Sequence, residues 1–267
     1  WLLLFTFVLA CSKDEDTGTP GNTQPIDPGI VADTFSIGFE NRYEPFVGLI
    51  TRNTCGICGQ SGHPLFDGYL SATPQVNGVS FNYASSDPLY HPEARDYVDF
   101  VQISGTPNYV FNTQNFSSSL DPWKDAVNQS LSRSALAAMA MDGKMLSQDS
   151  VDLTVYIAPN TNFNSSDIQL AIYVLENNVI SPQQDYGASP TLVENYVHNH
   201  VYRGSVSGVF GEPINGLINS SDTLSIQRSL AIPADADARN VYFMAVLLQV
   251  NASGEPTEVI QSQRLNR

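Results

Sequence analysis

Cys55 and Cys58, in the run Asn53-Thr54-Cys55-Gly56-Ile57-Cys58-Gly59, are the residues best spaced for chemistry. A Cys-x-x-Cys pair at a helix start is set up for thiol–disulfide exchange, because backbone N–H groups and the helix dipole favour a thiolate there. A thiol in that position falls from about 8.5 to roughly 3.5–7.5. Cys55 would then attack a partner disulfide and Cys58 would resolve the mixed intermediate. No Lys, Arg or His follows the pair until His63, so activation rests mainly on the helix end. Two other readings stay open. One is a disulfide that staples a tight turn in an oxidising compartment. The other is a metal, although zinc wants four ligands and only two thiols are near. His198 and His200 flank Asn199 on an expected strand, which would put both imidazoles on one face. A metal there needs a third ligand from a neighbouring strand, whereas a satisfied polar cluster needs none.

These residues require elements to hold them. Val47-Gly48-Leu49-Ile50-Thr51 reads as a buried strand running directly into the cysteine turn. Residues 60–70 follow as a helix candidate weakened by Gly62, Pro64 and Gly68, and 76–83 as a second strand. Residues 92–101 have helical apolar spacing, and Pro107 stands at the mouth of a strand ending near Phe111. Asp121 and Pro122 form a sound start for a helix over 121–133, with Asp as cap and Pro at the first helical position. Beyond Ser134 only strand signals remain, at 151–158, 168–175, 196–203, 223–232, 240–250 and 257–263, separated by Asn, Gly, Ser and Asp clusters. Short strands punctuated this way predict an antiparallel β-sandwich. The expected fold class is therefore α/β plus all-β, divided into 34–133 and 134–267.

The front end reads differently. Trp1 to Ala10 is an uncharged apolar run, too short for a membrane helix of about 20 residues and matched to the core of a secretory signal. Its end, Val8-Leu9-Ala10-Cys11, resembles the lipobox of bacterial lipoproteins, which implies cleavage before Cys11 and lipid on its sulfur. With no initiator Met and no basic leader, the start of the precursor is expected upstream. Two acyl signals give stable anchoring where one is marginal. Residues 11–33, with three Pro and three Gly after Asp16, read as a disordered tether. Stretched out, it would reach roughly 70 Å. Lys13-Asp14-Glu15-Asp16 resembles the acidic export signal of Bacteroidetes surface lipoproteins, so the expected address is the outer membrane, facing the exterior.

About 230 residues remain to fold, enough for one large domain or two small ones. The 27 acids against 12 bases give a net charge of −15, which argues against a nucleic-acid partner and against peripheral attachment to anionic lipid. Of three cysteines, assigning Cys11 to lipid leaves Cys55 and Cys58 as a self-contained pair. No nucleophilic triad, phosphate-cradling loop or paired catalytic carboxylates emerges, and Gly204 to Gly216 reads as a loop. No cofactor is called for.

Strand, Cys-x-x-Cys, helix and a late Thr106-Pro107 before another strand resemble thioredoxin-like domains. More narrowly, Asn53–Cys58, Gly105–Phe111 and Tyr196–Gly204 (YVHNHVYRG) resemble the Bacteroidetes outer-membrane lipoprotein family named for a protein of about twenty-eight kilodaltons. The resemblance implies a thioredoxin-like half followed by a β-rich half. It also implies a cis Pro107 lying against the cysteines, with the Thr106 backbone docking an extended substrate. Two departures touch the pair: Thr54 stands where thioredoxins carry an aromatic residue, and Gly59 where relatives place Pro. The function expected first is a surface lipoprotein exchanging thiols and disulfides through Cys55 and Cys58. The competing expectation is a non-catalytic binding or scaffold lipoprotein with a structural disulfide. Candidate partners are the membrane, through Cys11, and envelope or extracellular proteins.

Overall fold

The computed structural model describes residues 33–116, 119–214 and 219–267. The signal segment, Cys11 and the tether to residue 32 lie outside the described residues. Fifteen strands are described: β1 Thr34–Arg42, β2 Phe46–Thr51, β3 Asn77–Asn82, β4 Asn108–Phe111, β5 Gln114–Asn115, β6 Ser134–Ser147, β7 Ser150–Pro159, β8 Ile168–Glu176, β9 Val179–Gln184, β10 Leu192–His198, β11 Val201–Ser205, β12 Glu212–Pro213, β13 Leu224–Ala231, β14 Val241–Val250 and β15 Pro256–Leu265. Three helices, α1 His63–Ala72, α2 Pro92–Phe100 and α3 Leu120–Ser130, join them, with a π turn at Cys58–Gly62 leading into α1. Helix α3 has Ser119 at the cap, two residues before the cap expected at Asp121, which lies instead in its first turn.

The organising element is a nine-stranded mixed sheet in the order β15-β14-β8-β11-β3-β2-β4-β5, with β12 also against β8. Strands from both sides of residue 133 share it, which the expected division at 133/134 does not capture. The physical reason lies in β3, all six residues of which are buried. A buried strand with an open edge presents unpaired N–H and C=O groups. Here β11 closes that edge in parallel, with the Ser80 amide donating to the His200 carbonyl at 2.7 Å.

Alternation sends Phe46, Ile50, Val79 and Phe81 to one face of this sheet, beneath Ala94, Tyr97 and Val98 of α2. The same cluster continues through Tyr173 of β8 and Met244 of β14. On the opposite face Val47 and Leu49 meet Phe66 and Leu70 of α1 and Trp123 and Val127 of α3. Further along, Leu170, Ile172, Phe243 and Leu247 of the long sheet pack against Met139, Met141, Leu153 and Val155 of a second sheet, ordered β1-β6-β7-β13 and antiparallel throughout. This is the expected sandwich, but one of its layers is the shared sheet. Strand β1, expected within the N-terminal half, pairs instead with β6, and Phe35 stacks on Phe243 with ring centroids 6.2 Å apart. Gly143 makes room for it: a Cβ there would lie 2.3 Å from the Phe35 ring.

The strand expected over 196–203 is two strands. The chain turns at Asn199-His200, where His200 has φ 58°, so β10 pairs with β9 in a separate hairpin while β11 enters the long sheet.

Candidate functional site

Strand β2 ends at Thr51, and the chain turns tightly so that the Cys55 amide donates to the Arg52 carbonyl at 3.1 Å. Gly56 and Ile57 are already helical, which leaves Cys55 immediately before the first helical residue. Cys55 and Cys58 form a disulfide with Cα atoms 5.2 Å apart. Cys58 is fully buried and Cys55 half-buried. The Cys58 amide donates to Cys55 Sγ at 3.1 Å, a backbone donor aimed at the more exposed sulfur.

Thr106-Pro107 is a cis peptide. Pro107 is buried, and a Cβ built on Gly62 would sit 3.0 Å from Pro107 Cβ and 3.7 Å from Cys58 Cβ. Cys58 and Pro107 therefore flank the same glycine, which has no side chain to separate them. Thr106 is half-buried just before this contact.

The β9–β10 hairpin covers the cysteine turn. Gln184 and Tyr186 donate their amides to the carbonyls of Asn53 (2.8 Å) and Gly56 (3.1 Å). The Gln183 side-chain amide reaches the Cys55 carbonyl at 2.9 Å, and Tyr196 hydroxyl donates to the Gly59 carbonyl at 3.1 Å. Asn53 ties the turn on both sides, donating its backbone amide to Asp87 Oδ2 at 3.0 Å and its side-chain amide to the Pro182 carbonyl at 2.7 Å. This explains Gly59. A Cβ at position 59 would stand 2.4 Å from the Gln184 carbonyl oxygen, so the hairpin backbone occupies the space a larger residue would need.

The histidines do not form the pair expected from the sequence. With the chain turning between them, His198 Nε2 lies 3.3 Å from the Ser181 carbonyl, while His200 Nδ1 lies 2.8 Å from the Tyr242 hydroxyl. The ring neighbours of His198 are Tyr196, at 4.9 Å, and His63, edge-on at 5.1 Å, and His63 Nε2 is 3.0 Å from Thr51 Oγ1. Burial holds all three basicities down, His63 to about 3 and His198 and His200 to about 4, so they are neutral in the fold. Among the described residues no group of three or more His, Cys, Asp or Glu is placed to hold a metal ion.

The rest of the 196–204 motif is structural glue. Asn199 donates to Asp67 of α1 at 2.9 Å. Tyr202 donates to Glu93 of α2, which also accepts from Ser205 at 2.8 Å. Arg203, nearly buried, lies 3.2 Å from buried Glu176 and 2.6 Å from exposed Asp235. Sequence reasoning missed His63, Gln183, Tyr186 and Tyr196 as neighbours of the pair; the two glycines at 56 and 59 were the signal that another backbone comes close.

A family profile described as outer membrane protein Omp28 matches residues 94–266, a stretch that holds Pro107 and the 196–204 motif and begins after the cysteines. No curated protein sequence matches the chain. Among solved structures, HBP35 of Porphyromonas gingivalis superposes with a TM-score of 0.67 at 16% identity, over 84% of this chain and 75% of that one. A structural-genomics target from Agrobacterium tumefaciens gives 0.53 at 13% identity, over 85% and 96%. A domain of the outer membrane lipoprotein Omp28 from Porphyromonas gingivalis gives 0.34 at 18% identity, over 49% and 88%. At such identities these likenesses concern fold alone. Because the family profile spans well over half of the 267 residues, the chain belongs to the outer membrane protein Omp28 family.

Proposed function

We propose that this protein is a lipid-anchored outer-membrane protein, displayed on the cell exterior, that exchanges thiols and disulfides through Cys55 and Cys58 in a thioredoxin-like N-terminal half. The observation that carries the reading is the graded exposure of the pair, with Cys55 half-open, Cys58 sealed, and the Cys58 amide donating to Cys55 Sγ. A reachable sulfur stabilised as a thiolate by a backbone N–H is the arrangement that exchange requires.

In the oxidised form a substrate thiolate attacks Cys55 Sγ, the Cys55–Cys58 bond breaks, and Cys58 leaves as a thiolate. The substrate's second thiolate then attacks the mixed disulfide at its own sulfur, releasing the Cys55 thiolate. Two electrons pass from the substrate dithiol to the pair, and the substrate leaves as a disulfide. The reverse sequence reduces a substrate disulfide.

Support for the thioredoxin-like reading is the sequence of elements β2, cysteine turn, α1, β3, α2, Pro107, β4, β5, α3, with β2 and β3 parallel and β4 and β5 antiparallel. Support for the anchor and for display is the lipobox-like Val8–Cys11 and the acidic run after it. Replacing Cys11 by Ala is expected to abolish acyl labelling, and label that persists would remove the anchor. Titration of the pair in glutathione buffers is expected to give a potential above about −300 mV, with insulin reduction by the dithiol form. A lower potential together with a Cys55 thiol inert to alkylation would leave a structural disulfide in a binding or scaffold protein. That second reading draws on one specific observation, the backbone cover laid over the turn by Gln184 and Tyr186.

A further inference from the structure

Beside the cysteine turn, at the carboxyl-terminal ends of the parallel strands β2 and β3, lies an open cleft of about 550 Å³. Crevices outside the carboxyl ends of parallel strands are favoured ligand positions in α/β sheets. Its walls are Arg52 from the end of β2, Tyr83, Ser85, Ser86 and Tyr90 from the segment after β3, and Arg95 from α2. In a chain of net charge −15, two of only 12 basic residues meet here, and no carboxylate lines the cleft.

The two guanidiniums differ in what they have left to offer. Arg95 is engaged by both oxygens of Asp99, at 2.9 and 2.6 Å, and lies 5.7 Å from the Tyr83 ring centroid. Arg52 lies 6.0 Å from the same centroid, and among the described residues no carboxylate comes within ion-pair distance of it. Its Nε is buried without a hydrogen-bond partner. Asp87 takes the Asn53 amide on Oδ2 and feels the Arg52 charge without forming an ion pair with it. Arg52 is thus a fork-shaped cation outside any ion pair, beside the Tyr83 ring and in a cleft that it shares with Ser85, Ser86 and Tyr90. It stands three residues before Cys55 on a turn closed by the bond from the Cys55 amide to its own carbonyl.

We infer that this cleft is a substrate subsite of the Cys55–Cys58 pair and takes a carboxylate carried one to three residues from the reacting cysteine of a substrate polypeptide. The inference rests on the exchange reading above. A guanidinium matches a carboxylate in bidentate geometry. Two residues of extended substrate span about 7 Å, a reach suited to neighbouring sites on one turn. Tyr83 and Tyr90 supply surface for the acid's aliphatic stem, and Ser85 and Ser86 supply further donors.

The test uses the full chain and disulfide-linked peptides that differ only in carrying Glu, Gln or Lys two residues from the cysteine. The rate constant for exchange is expected to fall about tenfold from Glu to Gln and further to Lys, and the Glu advantage should shrink with added salt. Arg52→Gln should erase that advantage, so that the Glu and Gln peptides exchange at equal rates with the variant. Equal rates for Glu and Gln, or a preference that survives Arg52→Gln, would overturn the inference and leave the exchange reading standing. Should no peptide exchange while dithiothreitol still reduces the pair, the exchange reading fails. Equilibrium binding of the same peptides with serine for cysteine then decides the cleft, which is upheld by Glu-dependent binding lost in Arg52→Gln and overturned by its absence. Glutathione disulfide carries carboxylates without a polypeptide, and an Arg52 effect confined to it would overturn the assignment to polypeptides.

Discussion

At the scale of single residues, three neutral imidazoles gather beside α1, His63 in its first turn, His198 against His63 and His200 against Phe66. His63, His198 and His200 have no acidic partner to hold a proton, and Nδ1 of both His63 and His198 is buried without a hydrogen bond. Their folded values of about 3 to 4 lie below the ordinary 6.5, chiefly through burial, so the unfolded chain binds more protons across that interval. The stability they contribute is complete above about pH 6.5 and is lost as pH falls toward 4. The sign is opposite for Asp67, whose carboxyl is raised by burial and which therefore favours the fold as it protonates. For His198 alone the effect is on the order of 3 kcal/mol. Urea midpoints measured from pH 7.5 to 4.5 should fall steeply in the wild type and less steeply in His198→Gln; parallel curves would mean that His198 does not titrate on unfolding. The cysteine pair and Pro107 were legible in the sequence because their chemistry is carried by residue type and spacing. The His63–His198 contact was not, since it joins positions 135 residues apart through a turn whose φ 58° at His200 no pattern announces.

At the scale of elements, the β9–β10 hairpin is a clamp rather than one more layer of the sandwich. It reaches the cysteine turn through backbone bonds from Gln184 and Tyr186 and through the Tyr196 hydroxyl. Gly59→Ala would force the Gln184 carbonyl aside and should cost about 1–3 kcal/mol, read as a lowered urea midpoint at unchanged slope. Gly56→Ala meets only the ring of exposed Tyr186, which can swing away, and should cost less. Equal losses would mean that the backbone approach at Gly59 is not what requires glycine. Asn199 anchors the far end of the clamp by donating to Asp67 and accepting the Asn178 amide at 3.2 Å. The strands and helices around the turn could be read from hydrophobic period and from the Asp121-Pro122 start. The hairpin could not, because 196–203 has the pattern of one strand and only the competition of β9 and β8 for its two ends divides it.

At the scale of the molecule, one sheet ties together residues that a sequence reading would part. If β11 is what closes the edge of β3, a fragment ending at residue 133 exposes that edge and should aggregate or fail to give a cooperative transition, while residues 33–267 unfold in a single step. A soluble, cooperatively folded 33–133 fragment would disprove this. Arg203 offers a finer measurement. Arg203→Met leaves Glu176 buried without its cation and should cost about 3 kcal/mol, although Glu176 keeps the Asp237 amide at 2.7 Å. The linear chain determined the pair and its spacing, the Thr106-Pro107 step, the apolar periods of most strands and the net charge of −15. These are properties of residue type and of near neighbours. Only the tertiary structure decided that β1 leaves the N-terminal half for β6, that a distant hairpin covers the cysteines, and that Arg52 lines a cleft with Tyr83 and Arg95. Each of those outcomes is a choice among partners far apart in sequence. Such choices are made by edge closure and by the space that glycines leave, and neither is written in the period of any single segment.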